Sequence, residues 1–145
     1  AQMIEGVPWQ PGALNLRTEL RDLGVPCALV TMSYSDLAAA VTASVADVFG
    51  VRITGDSVAH GKPHPEPYLT AAAHLGVDIT SCVALEDSLT GLASAESSGA
   101  RVIGVQREVR IPAAEGRSRV DSLVDLTVED LAAVAQGIVL DRLAS

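Results

Sequence analysis

Three short stretches of this 145-residue sequence carry residues suited to gripping a charged, oxygen-rich group. The first is Glu86-Asp87, two adjacent carboxylates that end the apolar run Cys82-Val-Ala-Leu. Paired hard oxygen donors suit a divalent cation, and acidic residues equally suit the positive end of a helix. The second is Gly61-Lys62-Pro63-His64-Pro65. Its prolines stiffen the chain, so Lys62 can be aimed at a fixed charge; an ordinary surface lysine is the plainer alternative. The third is Thr31-Met32-Ser33-Tyr34-Ser35, which follows the apolar run Val25 to Val30. Hydroxyls at a helix start cap it, or combine with its free N–H groups to hold an anion. A hydroxyl donor, a lysine and a carboxylate pair able to hold Mg2+ are together what phosphoryl transfer needs. His60 and His64 flank Lys62, but no further Cys or His completes a set, so the segment does not read as a zinc site.

The elements that must position these stretches alternate. Ala13, Leu16, Leu20 and Leu23 recur at helical spacing and Gly24 follows as a stop signal. Val25 to Val30 then reads as a strand. A helix follows with Leu37, Val41, Val45 and Val48 on its apolar stripe, then a short strand within Phe49 to Thr54. Pro65 to Leu75 reads as a helix stopped by Gly76, 82–86 as a strand, 88–98 as a helix stopped by Gly99, and Arg101 to Val105 as a strand. Residues 106–119 look like an exposed charged loop. A short strand near 120–124 and a helix from Thr127, with Val128, Leu131, Ala135 and Ile138 on one face, complete the chain. Residues 1–11 read as an extended lead-in. Such alternation predicts a three-layer α/β/α, Rossmann-like parallel sheet in one domain, 1–145. In such sheets ligands sit outside the carboxyl ends of the strands, an edge on which all three stretches can converge.

Composition narrows the function classes. The formal net charge is −8 and no basic patch stands out, which argues against nucleic acid and against anionic membranes. Hydrophobic residues make up 48%, and only Trp9, Tyr34, Phe49 and Tyr68 are aromatic, so the core is aliphatic. Cys27 and Cys82 sit in apolar runs, as core thiols of a reducing compartment do, and cytoplasm is the default location. No Gly-x-Gly-x-x-Gly follows a strand, and Lys62 is followed by Pro63 where a nucleotide P-loop needs Ser or Thr. A phosphorylatable receiver domain has its acidic pair first in the chain; here it comes last.

The order and wording of these stretches resemble the haloacid dehalogenase-like (HAD) hydrolase superfamily, nearest its small-molecule phosphatases and β-phosphoglucomutase-like enzymes. Ala28-Leu-Val-Thr31-Met-Ser33 is similar to the second motif, Gly61-Lys62-Pro63-His64-Pro65-Glu66-Pro67-Tyr68-Leu69 to the third, and Leu85-Glu86-Asp87-Ser88-Leu-Thr-Gly91 to the fourth. The resemblance implies that Thr31, Met32 and Ser33 bind the phosphoryl group and that Lys62 neutralises it and the nucleophile. It implies Asp87 as a Mg2+ ligand, with Glu86 assisting directly or through water. The substrate implied is a small phosphorylated metabolite.

The first motif of that family, Asp-x-Asp-Gly-Thr, is absent: no aspartate here has another two positions on. It carries the nucleophile that forms an aspartyl-phosphate and the acid-base aspartate. The family's helical cap is absent as well. In the family the motif-one strand lies mid-sheet, between the strand leading to Thr31 and the one ending at Asp87. The expectation is that both strands here show bare apolar edges, a liability in an isolated domain, and that this chain is the C-terminal part of a longer protein whose N-terminal segment completes the site. The alternative is a truncated or degenerate, non-catalytic module that binds phosphate or a protein partner.

Overall fold

The computed structural model describes residues 2–5, 18–20, 22–30, 51–53, 57–106 and 109–143. Among them six strands form one parallel sheet: β1 (Gln2–Glu5), β2 (Cys27–Val30), β3 (Val51–Ile53), β4 (Cys82–Glu86), β5 (Arg101–Val105) and β6 (Ser118–Val120), in spatial order β3-β2-β1-β4-β5-β6. The described helices are α1 (Glu66–Leu75), α2 (Leu89–Ser98) and α3 (Val128–Ala135), and residues 18–20 and 22 are helical. The predicted helix through Leu37 to Val48 lies outside the described residues.

Local chemistry explains the helix limits. Gly76 and Gly99 close α1 and α2 with φ of 71° and 95°, a backbone region costly for other residues. Ser88 caps α2 by accepting from Gly91 N–H at 3.0 Å. Thr127 and Asp130 form the reciprocal capping box at the start of α3.

The core follows from the period of two along each strand. On β4, Cys82 and Ala84 pack with Tyr68, Ala71, Leu92 and Ala95 of α1 and α2, while Val83 and Leu85 pack with Leu20, Leu131 and Val134 on the opposite face. Covering on both faces makes the whole of β4 buried and yields the three-layer architecture.

Several expectations need correction. Residues 2–5 are not an extended lead-in: they form β1, paired parallel to β2 and β4. Those two strands therefore have no bare inner edges here; the slot of the motif-one strand is filled by Gln-Met-Ile-Glu, which contains no aspartate. Unpaired N–H and C=O groups on both sides of a slot favour any short apolar segment able to pair with them. β6 lies at 118–120, and Leu123–Asp125 is a 3-10 turn. Ile138 lies beyond α3 and is exposed. The charged 106–119 segment is not wholly exposed. Ile111 is fully buried beside Gly104, where a side chain would overlap it, and buried Arg119 donates to Ile111 O at 2.8 Å and pairs with Asp141.

Cys27 and Cys82 are buried reduced thiols. Burial, aided by the charge of Asp78, pushes the Cys82 thiol up from its ordinary 9.0 to about 11. The unfolded chain gives up that proton near the ordinary value and the folded chain keeps it. The contribution to stability is therefore complete below about pH 9 and is lost as pH rises toward 11. At pH 8 neither thiol is expected to react with iodoacetamide in the folded chain while both react in urea. Labelling followed by mass spectrometry checks this, and rapid labelling of the folded chain would show the strands opening.

Candidate active site

Alternation along β4 places Glu86 on the same face as Cys82 and Ala84, toward α1 and α2. Its side chain is 1% exposed, so its charge needs partners. Two supply them: Lys62 Nζ and the Tyr68 hydroxyl both donate to Glu86 Oε1. Lys62, with a side chain 8% exposed, also donates to Val30 O at 3.2 Å and sits 5.5 Å from the centroid of the Tyr68 ring. Val30 is the last residue of β2, so the lysine reaches the backbone immediately before Thr31. Asp87 follows at the end of β4 and is half-buried.

Two devices hold this arrangement. Ser94 Oγ of α2 donates to His64 O at 2.6 Å, tying the Lys62 loop to the helix that follows Asp87. Gly91 lies against the Glu86 carboxylate so closely that an added Cβ would overlap it. Elsewhere in a helix Gly→Ala stabilises by about 1 kcal/mol; here overpacking costs about 1–3 kcal/mol, and Gly91→Ala is expected to lower stability on balance. A urea titration gives the sign, and a stabilised variant would mean that Glu86 moves aside without cost.

The site residues predicted from sequence divide as follows. Lys62, Glu86 and Asp87 come together at the carboxyl edge of the sheet. Thr31, Met32 and Ser33 lie outside the described residues; the strand that delivers them, β2, ends beside Lys62. Sequence reasoning missed Tyr68 as a site residue. Its signal was one of only four Phe, Tyr or Trp residues in the chain, set on the helix directly after the lysine-proline stretch. β1 ends at Glu5, whose backbone is in register with Leu29 and Leu85, between the strands leading to Thr31 and Asp87.

A sequence model of the haloacid dehalogenase-like hydrolases matches residues 8–99. The chain belongs to this family. Among HAD-like relatives, it is 35% identical over 130 residues to protein CbbY of Rhodobacter capsulatus, covering 86% of this chain and 55% of that protein. It is 34% identical over 116 residues to hexitol phosphatase A of Escherichia coli (strain K12), covering 77% and 52%. The chain thus spans about half the length of these curated relatives. The crystal structure of a CbbY variant from Rhodobacter sphaeroides in complex with xylulose-(1,5)bisphosphate superposes with a TM-score of 0.75 at 31% identity, covering 84% of this chain and 58% of that one. The parallel sheet and its flanking helices are those of the HAD-like fold.

Proposed function

We propose that these residues form part of the active site of a Mg2+-dependent phosphatase or phosphomutase acting on sugar phosphates through an aspartyl-phosphate. The observation that carries this reading is the buried Lys62–Glu86 pair at the carboxyl edge of a parallel sheet, between the strand leading to Thr31 and the residue Asp87. Lys62, held at the strand ends by the Glu86 carboxylate and the Val30 carbonyl, brings a positive charge to the edge where a phosphoryl oxygen would bind. Thr31 and Ser33 hydroxyls and the Met32 N–H orient that group, and Glu86 positions Lys62. Asp87 offers a carboxylate oxygen at the strand end, the donor type Mg2+ takes together with waters and substrate phosphate, so the residues present fit that ion. Asp87 would hold it, whereas Glu86, expected from sequence to assist, is turned inward onto Lys62 and Tyr68 and serves to position the lysine; the ion would supply charge neutralisation at the phosphoryl oxygens.

No Asp-x-Asp pair occurs among these 145 residues. The proposal therefore includes a segment carrying Asp-x-Asp from elsewhere in the same protein. Sugar phosphates are favoured by the hexitol phosphatase relative and by the sugar bisphosphate bound to the CbbY variant. A cytoplasmic location is part of this proposal, supported by Cys27 and Cys82, which are buried and unbridged.

A second reading has its own observation. β1 fills the centre of the sheet without an aspartate, so the chain by itself can be a non-catalytic phosphate-binding module. A panel of sugar phosphates with Mg2+ separates the readings. The 145-residue chain is expected to give no turnover. The same chain with whatever its reading frame encodes upstream is expected to hydrolyse at least one substrate; inactivity there, with retained phosphate binding, would favour the module. Turnover by the 145 residues alone, abolished by Asp87→Ala, would show that another carboxylate is the nucleophile, and Glu5 would be the first to replace.

A further inference from the structure

The loop that turns Lys62 inward leaves His60 and His64 exposed on either side of it, and both approach Glu66 at the first turn of α1. We propose that His60, His64 and Glu66 form a surface site for a borderline transition-metal dication, with Zn2+ as its expected occupant. It is separate from any Mg2+ held by Asp87.

The geometry is already close to that of a ligand set. One ligand atom from each of the three residues lies within 4.8 Å of the others. His60 Nδ1 and Glu66 Oε1 are 3.1 Å apart. Metal–ligand distances of about 2.0–2.2 Å in a tetrahedron put neighbouring donors roughly 3.3–3.6 Å apart. One edge therefore exists, and rotation of an exposed side chain closes the rest. The two imidazole rings are stacked, with centroids 4.8 Å apart and planes 24° from parallel.

The backbone holds the three residues in place without metal. His64 N–H donates to Gly61 O at 3.0 Å, its carbonyl is held by Ser94, and its Nδ1 accepts from Glu66 N–H at 3.0 Å. Glu66 accepts from Ala59 N–H at 2.8 Å and His60 N–H at 3.2 Å. A carboxylate has lone pairs beyond those the N–H groups use. Two nitrogens and one oxygen suit Zn2+ and its neighbours and are poor ligands for Mg2+, which prefers oxygen throughout. The sequence hid the site because a search for Cys and His near Lys62 stops at two ligands; the third is a glutamate that the loop folds back onto them.

The test is calorimetric titration of the 145-residue chain with Zn2+ in phosphate-free buffer. His60→Ala, His64→Ala and the double variant are compared with wild type and with His74→Ala, a histidine of α1 outside the cluster. The expected result is one Zn2+ per chain with Kd at or below about 10 µM, weakened at least about tenfold by either single substitution and abolished by the double one. His74→Ala should bind as wild type does, and millimolar Mg2+ should not displace the Zn2+. Both imidazoles are exposed, so the variants are expected to keep the wild-type far-UV circular dichroism. No saturable binding by the wild type, binding that survives in the double variant, or displacement by Mg2+ would each overturn the proposal. The readout is independent of turnover, so failure of the phosphatase reading leaves it standing.

Discussion

Glu86→Ala is expected to destabilise the chain by about 3–5 kcal/mol, the range for removing one partner of a buried ion pair. Glu86 is 1% exposed and accepts from both Lys62 and Tyr68. Without it, the buried Lys62 charge loses a carboxylate partner and the hydroxyl of Tyr68 loses an acceptor. The cost comes from stranded charge more than from lost attraction. Replacing the pair together, as Lys62→Met with Glu86→Leu and Tyr68→Phe, is therefore expected to recover most of the loss, since apolar replacements of buried pairs are often neutral or stabilising. Urea denaturation of the wild type, the single variant and the triple variant measures both halves of this prediction. If Glu86→Ala costs less than about 1 kcal/mol, the pair is wet and belongs with surface salt bridges.

The second large effect concerns rate. In the protein that carries a motif-one aspartate as well as these residues, Lys62→Ala is expected to lower kcat/KM by about 10²–10³ or more, the scale of removing one preorganised charge-stabilising donor. His64→Ala, two residues away and exposed, is expected to change it by no more than a few-fold in zinc-free buffer. The contrast follows from where the side chains point: Lys62 reaches the strand ends of β2 and β4, and His64 faces solvent. Rates must be compared below the unfolding temperature of each variant, because Lys62→Ala also strands Glu86. Equal and small losses for the two substitutions would reduce Lys62 to a structural partner of Glu86.

Much of this site was legible before folding was considered. Lys62 in its proline-stiffened stretch, and Glu86-Asp87 at the end of an apolar run, mark themselves by local pattern, and Gly76 and Gly99 fall where helix ends require them, while Ser88, read as the first residue of its helix, is the cap. Tyr68 and Glu66 were not legible in the same way. Each acts across a gap in sequence, Tyr68 on Glu86 over eighteen residues and Glu66 on His60 over six, through contacts that only packing creates. Ile111 and Arg119 were obscured by their charged neighbours, although the room beside Gly104 draws Ile111 into the core.

The alternation of elements, most of their limits and the residue types available at the strand ends follow from local pattern. These are short-range properties, set by periodicity, capping and backbone preference within a few residues. Tertiary structure alone decided two matters. It put Gln2–Glu5 in the centre of the sheet, because parallel pairing between strands far apart in sequence depends on which edges need hydrogen bonds and leaves no local pattern. It also separated two adjacent carboxylates. The period of a strand turned Glu86 inward onto Lys62, Tyr68 and Gly91, and left Asp87 at the strand end.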